Sequence, residues 1–236
     1  MNQLVPSRQL TLARIHVATP SAAKDASQLA DAYAALPRAY IRRGDLSAQA
    51  RIELMIQRLR EYDAEVVEST PEAVTAAIAA QLAACGRHVF IVPRDIPATW
   101  PASGYEWKID RELQTSEIEQ VEGVLTSAFC GIADSGTIVL HHSAAEGRRV
   151  LTLLPDWYLC VLRASQVVET LPEYFSRCQQ PPALATYISG PSATADIEMT
   201  RIKGVHGPRT LAVIVVRDDV ANISNDSAHV NLPSSS

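Results

Sequence analysis

The chain has 236 residues, enough for one large α/β domain or for one domain with a small appendage. Hydrophobic residues make up 47%, normal for a soluble globular protein, and the formal net charge is −5. That charge argues against nucleic acid as the main partner, and no apolar run approaches the ~18 residues that span a bilayer. The start, MNQLVPSRQLTLARIHVATPS, lacks the basic, apolar, small-residue order of a signal peptide, so a cytoplasmic location is expected. Cys85, Cys130, Cys160 and Cys178 are widely spaced, without a C-x-x-C or C-x-x-H cluster. They read as small buried or half-buried thiols in a reducing compartment, and the chain is expected to carry no metal or cofactor of its own.

In chain order, residues 1–45 hold Pro6, Pro20, Pro37 and Gly44 around a helical stretch, AAKDASQLADAYAAL, and read as an N-terminal arm. Residues 46–65 place Ile52, Met55, Ile56 and Leu59 on one stripe of an amphipathic helix that Ser47 can cap. EVVEST is a short strand, and Pro71 opens a helix through EAVTAAIAAQLAAC that stops at Gly86. HVFIV is a compact strand, residues 94–112 read as a long surface connection, and TSEIEQVEG reads as a short helix capped by Ser or Thr. From 124 onward VLTSAFCGIADSGTIVLHH, RVLTLLP, WYLCVLR, LATYISG and RTLAVIVV all look like strands, with a helix in TLPEYFSRC. Residues 218–236 are polar and patternless and read as a disordered tail. Alternation of helix and strand predicts a three-layer α/β/α sandwich with a mostly parallel sheet.

Several constellations are candidates for chemistry. His141 and His142 are adjacent, so on one strand they point to opposite faces; they read as a strand end running out into solvent. SAAEGRRV reads first as an ordinary charged loop; the sharper alternative makes Glu146 a nucleophile or base and Arg148 an anion clamp beside the flexible Gly147. Asp134, Ser135, Gly136 and Thr137 interrupt an apolar run, either as a tight turn or as donors aimed at an anionic ligand. In YISGPSATADIEMTRIKGVHGP the punctuation predicts a helix: Ser192 or Thr194 as cap, Asp196 and Glu198 in the first turn, Arg201 and Lys203 in the last, and Gly204 as stop. Residues two apart on a helix diverge by about 200°, so Asp196 and Glu198 form no dyad. Ser189, Gly190 and Ser192 before that helix suit an anion site, with His206, held between Gly204 and Gly207, as an acid/base or hydrogen-bonding residue reaching the same mouth.

GIADSGTIVL, EGRRVLTLLP and YISGPSATADIEMTRIKGVHGPRTLAVIVV together resemble the LUD domain, in its lactate-utilisation protein C (LutC/YkgG) branch, over roughly residues 50–217. The resemblance implies an α/β domain at 46–217 with a fold like that of the NagB/RpiA/CoA-transferase superfamily. It implies a role in oxidising L-lactate to pyruvate, as a subunit without a redox centre, with LutA- and LutB-like partners that carry the iron–sulfur clusters. It carries over Asp134, Gly136, Thr137, Glu146, Gly147, Arg148, Ser189, Gly190, Ser192, Asp196, Glu198, His206, Gly207 and Pro208 as motif positions. Glu146 and His206 are the candidates for catalysis; Asp134, Gly136, Thr137, Arg148, Ser189, Gly190, Ser192 and Gly207 are the candidates for ligand binding. The alternative is a stand-alone enzyme or binder of a small anionic metabolite: a carboxylate, sugar phosphate or acyl-CoA.

Overall fold

The computed structural model describes residues 7–18, 26–178, 180, 182–194, 202–203 and 207–218. The chain divides into two compact units, Met1–Tyr40 and Ile41–Ser236. The first contains two helices, α1 (Ser7–Ala18) and α2 (Ala26–Ala34), so the arm is helical as expected. It ends at Tyr40 rather than at 45, because the next residues are tied into the second unit: Gly44 and Leu46 donate their N–H groups to Glu173 and Glu169.

The second unit begins with α3 (Ala48–Glu61), β1 (Glu65–Ser69), α4 (Val74–Cys85), β2 (Val89–Val92), β3 (Glu106–Ile109) and α5 (Thr115–Ile118). There follow β4 (Gly123–Ser127), β5 (Cys130–Ile132), β6 (Thr137–Leu140), a 3-10 turn at Arg149–Thr152, β7 (Trp157–Arg163), a second 3-10 turn at Ala164–Gln166 and β8 (Val167–Val168). The last elements are α6 (Leu171–Arg177), β9 (Thr186–Ile188), β10 (Ala193–Thr194), β11 (Ile202–Lys203) and β12 (Thr210–Val216). Ser47 caps α3 as its sequence promised, its Oγ accepting the Ala50 N–H at 3.2 Å. At α5 the cap is Gln114, not a Ser or Thr; its N–H donates to Glu117 at 2.8 Å.

Six strands form one parallel sheet in the order β1-β12-β7-β4-β2-β3. β7 and β12 lie inside it and are apolar along nearly their whole length, as a strand buried on both faces must be. On one face Ile78 and Leu82 of α4 pack against Phe90, Leu125, Leu159 and Ile214. On the other, Ile52, Met55, Ile56 and Leu59 of α3 meet Tyr158, Cys160, Leu162 and Val213. That layer is shared with a small four-stranded sheet, β8-β5-β6-β9, whose Ile138, Leu140 and Val167 enter the same core. The small sheet's outer face carries Cys130, Ile132 and Val139, covered by Tyr174 of α6. The domain is therefore an α/β fold with a mostly parallel central sheet between helices.

Three expectations are corrected. Within 94–112, Glu106–Ile109 is not surface connection but the edge strand β3, hydrogen-bonded to β2 from Val89↔Glu106 to Val92↔Ile109. Arg149–Thr152 is a 3-10 turn that drops Leu151 into the core, not a strand; four residues of apolar run do not distinguish the two. The helix expected from Ser192 to Lys203 fails at both described ends, because Ala193 and Thr194 pair antiparallel with Lys203 and Ile202. Its centre, with Asp196 and Glu198, lies outside the described residues, as do His206 and the tail from 219.

All four cysteines are free thiols. Burial pushes Cys130 and Cys160 up to about 12, so at pH 8 only about one part in ten thousand of either is thiolate. Cys85 and Cys178 are half-buried. A thiol reagent at pH 8 should therefore modify at most two thiols per native chain, and four after denaturation. Rapid reaction of a third thiol in the native protein would contradict this packing.

Candidate functional site

The small sheet and the large one enclose a crevice of about 300 Å³. β9 is antiparallel to β6, with Leu140 opposite Thr186 and Ile138 opposite Ile188, and carries the chain to the crevice edge. The chain then turns through Ser189 and Gly190, and Ser192 donates its N–H to Pro208 O at 2.8 Å, just before β12. Opposite lies the 3-10 turn Arg149–Thr152 that feeds β7. Tyr158 and Leu211, neighbours on β7 and β12, supply the apolar floor. The Tyr158 hydroxyl is spent inside the core on Thr126 Oγ1 at 2.8 Å; burial raises its pKa well above the ordinary tyrosine value, so it stays protonated.

Four of the candidate binding residues, Ser189, Gly190, Ser192 and Gly207, line this crevice together. Thr137 stands one hydrogen bond behind them: its Oγ1 is 2.8 Å from Ser189 Oγ and 2.7 Å from Ser135 Oγ. Gly136 turns the chain against α3. Asp134 lies outside the lining, with its N–H on Glu169 O at 3.0 Å.

The 141–148 loop goes elsewhere. It caps the carboxyl ends of β2 and β4: Asp95 N donates to Ala144 O at 3.1 Å, and Ser127 Oγ to Ala145 O at 3.1 Å. Glu146 is only 4% exposed. One carboxylate oxygen accepts the Ser143 hydroxyl at 2.7 Å and the other accepts the His141 N–H. Arg148 forks onto Asp110, Nε to Oδ2 at 2.8 Å and NH2 to Oδ1 at 2.6 Å, and also reaches Leu113 O at 2.9 Å. Hydrogen bonding to Asp110 raises the Arg148 pKa. Arg148 and Gly147 line a separate cleft of about 250 Å³ with Arg94, Asp110, Arg111 and His142.

The paired histidines are not a strand end in solvent. His142 sits at φ 57°, with Nδ1 2.9 Å from Gly147 O and Nε2 2.7 Å from Thr186 Oγ1. A carbonyl only accepts, so Nδ1 carries a proton; in the neutral ring Nε2 accepts from Thr186. Thr186 lines the crevice, so His142 joins the capping loop to it. His141 bonds the Tyr174 hydroxyl at 2.8 Å and stacks on Phe129 at 3.6 Å. Burial lowers its pKa, which favours the neutral imidazole.

Sequence reasoning missed Arg149, Thr152, Tyr158 and Thr186 as crevice residues. The one local signal was Tyr158, a polar atom inside the apolar run WYLCVL that has to find a partner. Chemically the crevice presents serine and threonine hydroxyls, backbone and one rim guanidinium, Arg149, over an apolar floor. Hydroxyls beside a guanidinium suit recognition of a small polar or anionic molecule. Among the described residues no group of three or more His, Cys, Asp or Glu is placed to hold a metal ion, and no helix is long and apolar enough to cross a membrane.

Comparison with known proteins agrees with this architecture. The family model for the LUD domain matches residues 49–216. The chain is 38% identical to lactate utilization protein C of Deinococcus radiodurans over 174 residues, covering 71% of this chain and 81% of that protein. It is 29% identical to lactate utilization protein C of Bacillus subtilis, covering 73% and 80%. It is 37% identical to the uncharacterized protein YkgG of Escherichia coli over 125 residues, about half of each chain. A crystal structure of a DUF162 family protein from Deinococcus radiodurans superposes with a TM-score of 0.63 at 34% identity, covering 73% of this chain and 99% of that one. The chain belongs to the LUD domain family.

Proposed function

We propose that this chain acts in lactate utilisation, as a subunit without a redox centre in a system that oxidises L-lactate to pyruvate. The observation that carries the reading is its 38% identity to a lactate utilization protein C across 81% of that protein's length. Lactate oxidation releases two electrons and two protons, and here iron–sulfur partners of the LutA and LutB kind take the electrons. The inter-sheet crevice supports a complementary part for this chain: hydroxyls of Ser189 and Ser192, with Arg149 at the rim, suit a small carboxylate. Lactate-dependent reduction of an artificial acceptor by the purified partners, with and without this chain, tests the role. Omission should lower the rate by about tenfold or more, a barrier change of about 1.4 kcal/mol. Full activity of the partners alone overturns it.

The same crevice favours a second reading, a stand-alone binder of a small anionic metabolite such as a carboxylate, sugar phosphate or acyl-CoA. A thermal-shift screen of such compounds separates the two, since a ligand that binds only the native state stabilises it by mass action. Stabilisation of the lone chain at millimolar ligand supports this reading, and no shift from any of them removes it.

A further inference from the structure

A third cleft, of about 310 Å³, lies away from the inter-sheet crevice and is lined by Arg42, Arg43, Arg51, Glu173, Ser176 and Arg177. Its arginines come from three places: the segment before α3, the first turn of α3 itself, and the last turn of α6. Their convergence is built by carboxylates that bind backbone. Glu173 accepts the Gly44 N–H on one oxygen at 2.8 Å and the Glu169 and Thr170 N–H groups on the other at 2.7 and 3.3 Å. Glu169 accepts the Leu46 N–H at 2.7 Å. These bonds dock the segment carrying Arg42 and Arg43 against α6.

The result is four arginines around one cleft with a single carboxylate among its described lining residues, Glu173, both of whose oxygens are engaged by N–H groups. Arg51 stands half-buried, and its Nε is shielded from solvent with no hydrogen-bond partner among the described residues. Arg177 makes one long contact, NH1 to Ser165 O at 3.5 Å. Burial and the Arg177 guanidinium both lower the Arg51 pKa; Glu173 and Glu169 pull it the other way, and Arg43 lowers it further. Burial also acts against the Glu173 carboxylate, but the three N–H groups and Arg51 outweigh it and hold its pKa below the usual range, so it remains charged. Guanidinium groups converging on one cleft repel one another, and an anion seated among them relieves that repulsion.

We infer that this arginine cleft binds a small phosphate-bearing molecule. Planar guanidinium groups match phosphate oxygens in pairs, and a phosphate monoester dianion offers more such oxygens, and more charge, than a single carboxylate. The volume admits a phosphate with a small group attached. A nucleic-acid track would instead need basic residues spread along a surface, on a chain whose net charge is −5. The inference is independent of the lactate role and of the inter-sheet crevice.

The test uses the full chain with pyrophosphate as probe, in calorimetric titration and thermal melting, against sodium chloride at matched ionic strength and against succinate. Pyrophosphate should raise the melting temperature by about 3 °C or more at millimolar concentration. Arg51→Gln and Arg177→Gln should each weaken binding at least about tenfold, as the loss of one charge-assisted donor pair requires. Arg177→Gln, on an exposed side chain, should melt within about 2 °C of the unliganded parent and keeps the test valid should Arg51→Gln not fold. No shift beyond matched salt, or equal shifts in parent and Arg177→Gln, overturns the site. A stronger response to succinate than to pyrophosphate overturns the phosphate assignment.

Discussion

Replacing Glu146 by alanine is expected to destabilise the protein by about 2–4 kcal/mol. The carboxylate is 4% exposed and satisfies two donors at once, the Ser143 hydroxyl at 2.7 Å and the His141 N–H. Alanine leaves that buried N–H without an acceptor and opens a small void under the 141–148 loop. The loop in turn sits on the ends of β2 and β4 through Ala144 and Ala145, so the cost falls on the sheet as well. Glu146→Gln should cost only about 1 kcal/mol, since its one oxygen can still accept from His141 while the amide NH₂ donates to a reversed Ser143 hydroxyl. Denaturant midpoints of the two variants measure the difference. The pair also tests Glu146 as a nucleophile: an amide in its place then folds normally and forms no covalent intermediate. If alanine leaves the midpoint unchanged, the buried-anchor role is wrong.

What could be read from the sequence follows from how local each cause is. The α3 stripe of Ile52, Met55, Ile56 and Leu59 is buried as predicted, because a 3.6-residue period depends only on neighbours along the chain. WYLCVLR and RTLAVIVV were legible as strands for the same reason: a strand buried on both faces is apolar throughout. β3 was hidden behind Pro97 and Pro101; it is four residues at the sheet edge, held by pairing with β2, a distant partner no local rule names. The caps written into 192–204 point to a helix, yet Ala193–Thr194 pairs with Ile202–Lys203, so strand pairing outranks local capping at these residues. In the candidate site, Ser189, Gly190, Ser192 and Gly207 line one crevice, a convergence that the sequence left open. Glu146 and Arg148 do not join them. Ser143-x-x-Glu146 has the serine-to-glutamate spacing of a self-satisfying turn, and that spacing was the available sign that the carboxylate was already engaged.

Gly190→Ala is expected to cost about 2–4 kcal/mol, lowering the melting temperature by about 5–15 °C for a chain of this size. Two independent strains add. Gly190 sits at φ 82°, where an L side chain is unfavourable by about 1 kcal/mol, and a Cβ there would lie 2.7 Å from both Tyr62 Cβ and Tyr62 O. Those atoms follow the end of α3 and are backbone or next to it, so they cannot swing aside as a side-chain tip would. Gly136 provides the control, because it makes the same kind of approach one turn earlier on the helix: φ 60°, with a Cβ 2.6 Å from Arg58 Cβ and 3.0 Å from Arg58 C. Both substitutions should destabilise, but their effects on the crevice should differ. Gly190 lines it, and displacing the 189–192 segment from Tyr62 moves the Ser189 and Ser192 hydroxyls directly. Gly136 does not line it and acts at one remove, through the Thr137–Ser189 hydrogen bond and the β6–β9 pairing. At a temperature where both variants remain folded, Gly190→Ala should therefore weaken binding of any ligand that occupies the crevice by about tenfold or more, and Gly136→Ala by about threefold or less. Equal losses in the two would mean that the crevice responds to general loosening of the small sheet rather than to the placement of the serine loop. Unchanged melting in Gly190→Ala would remove the close approach to α3 as the feature that sets the crevice's width.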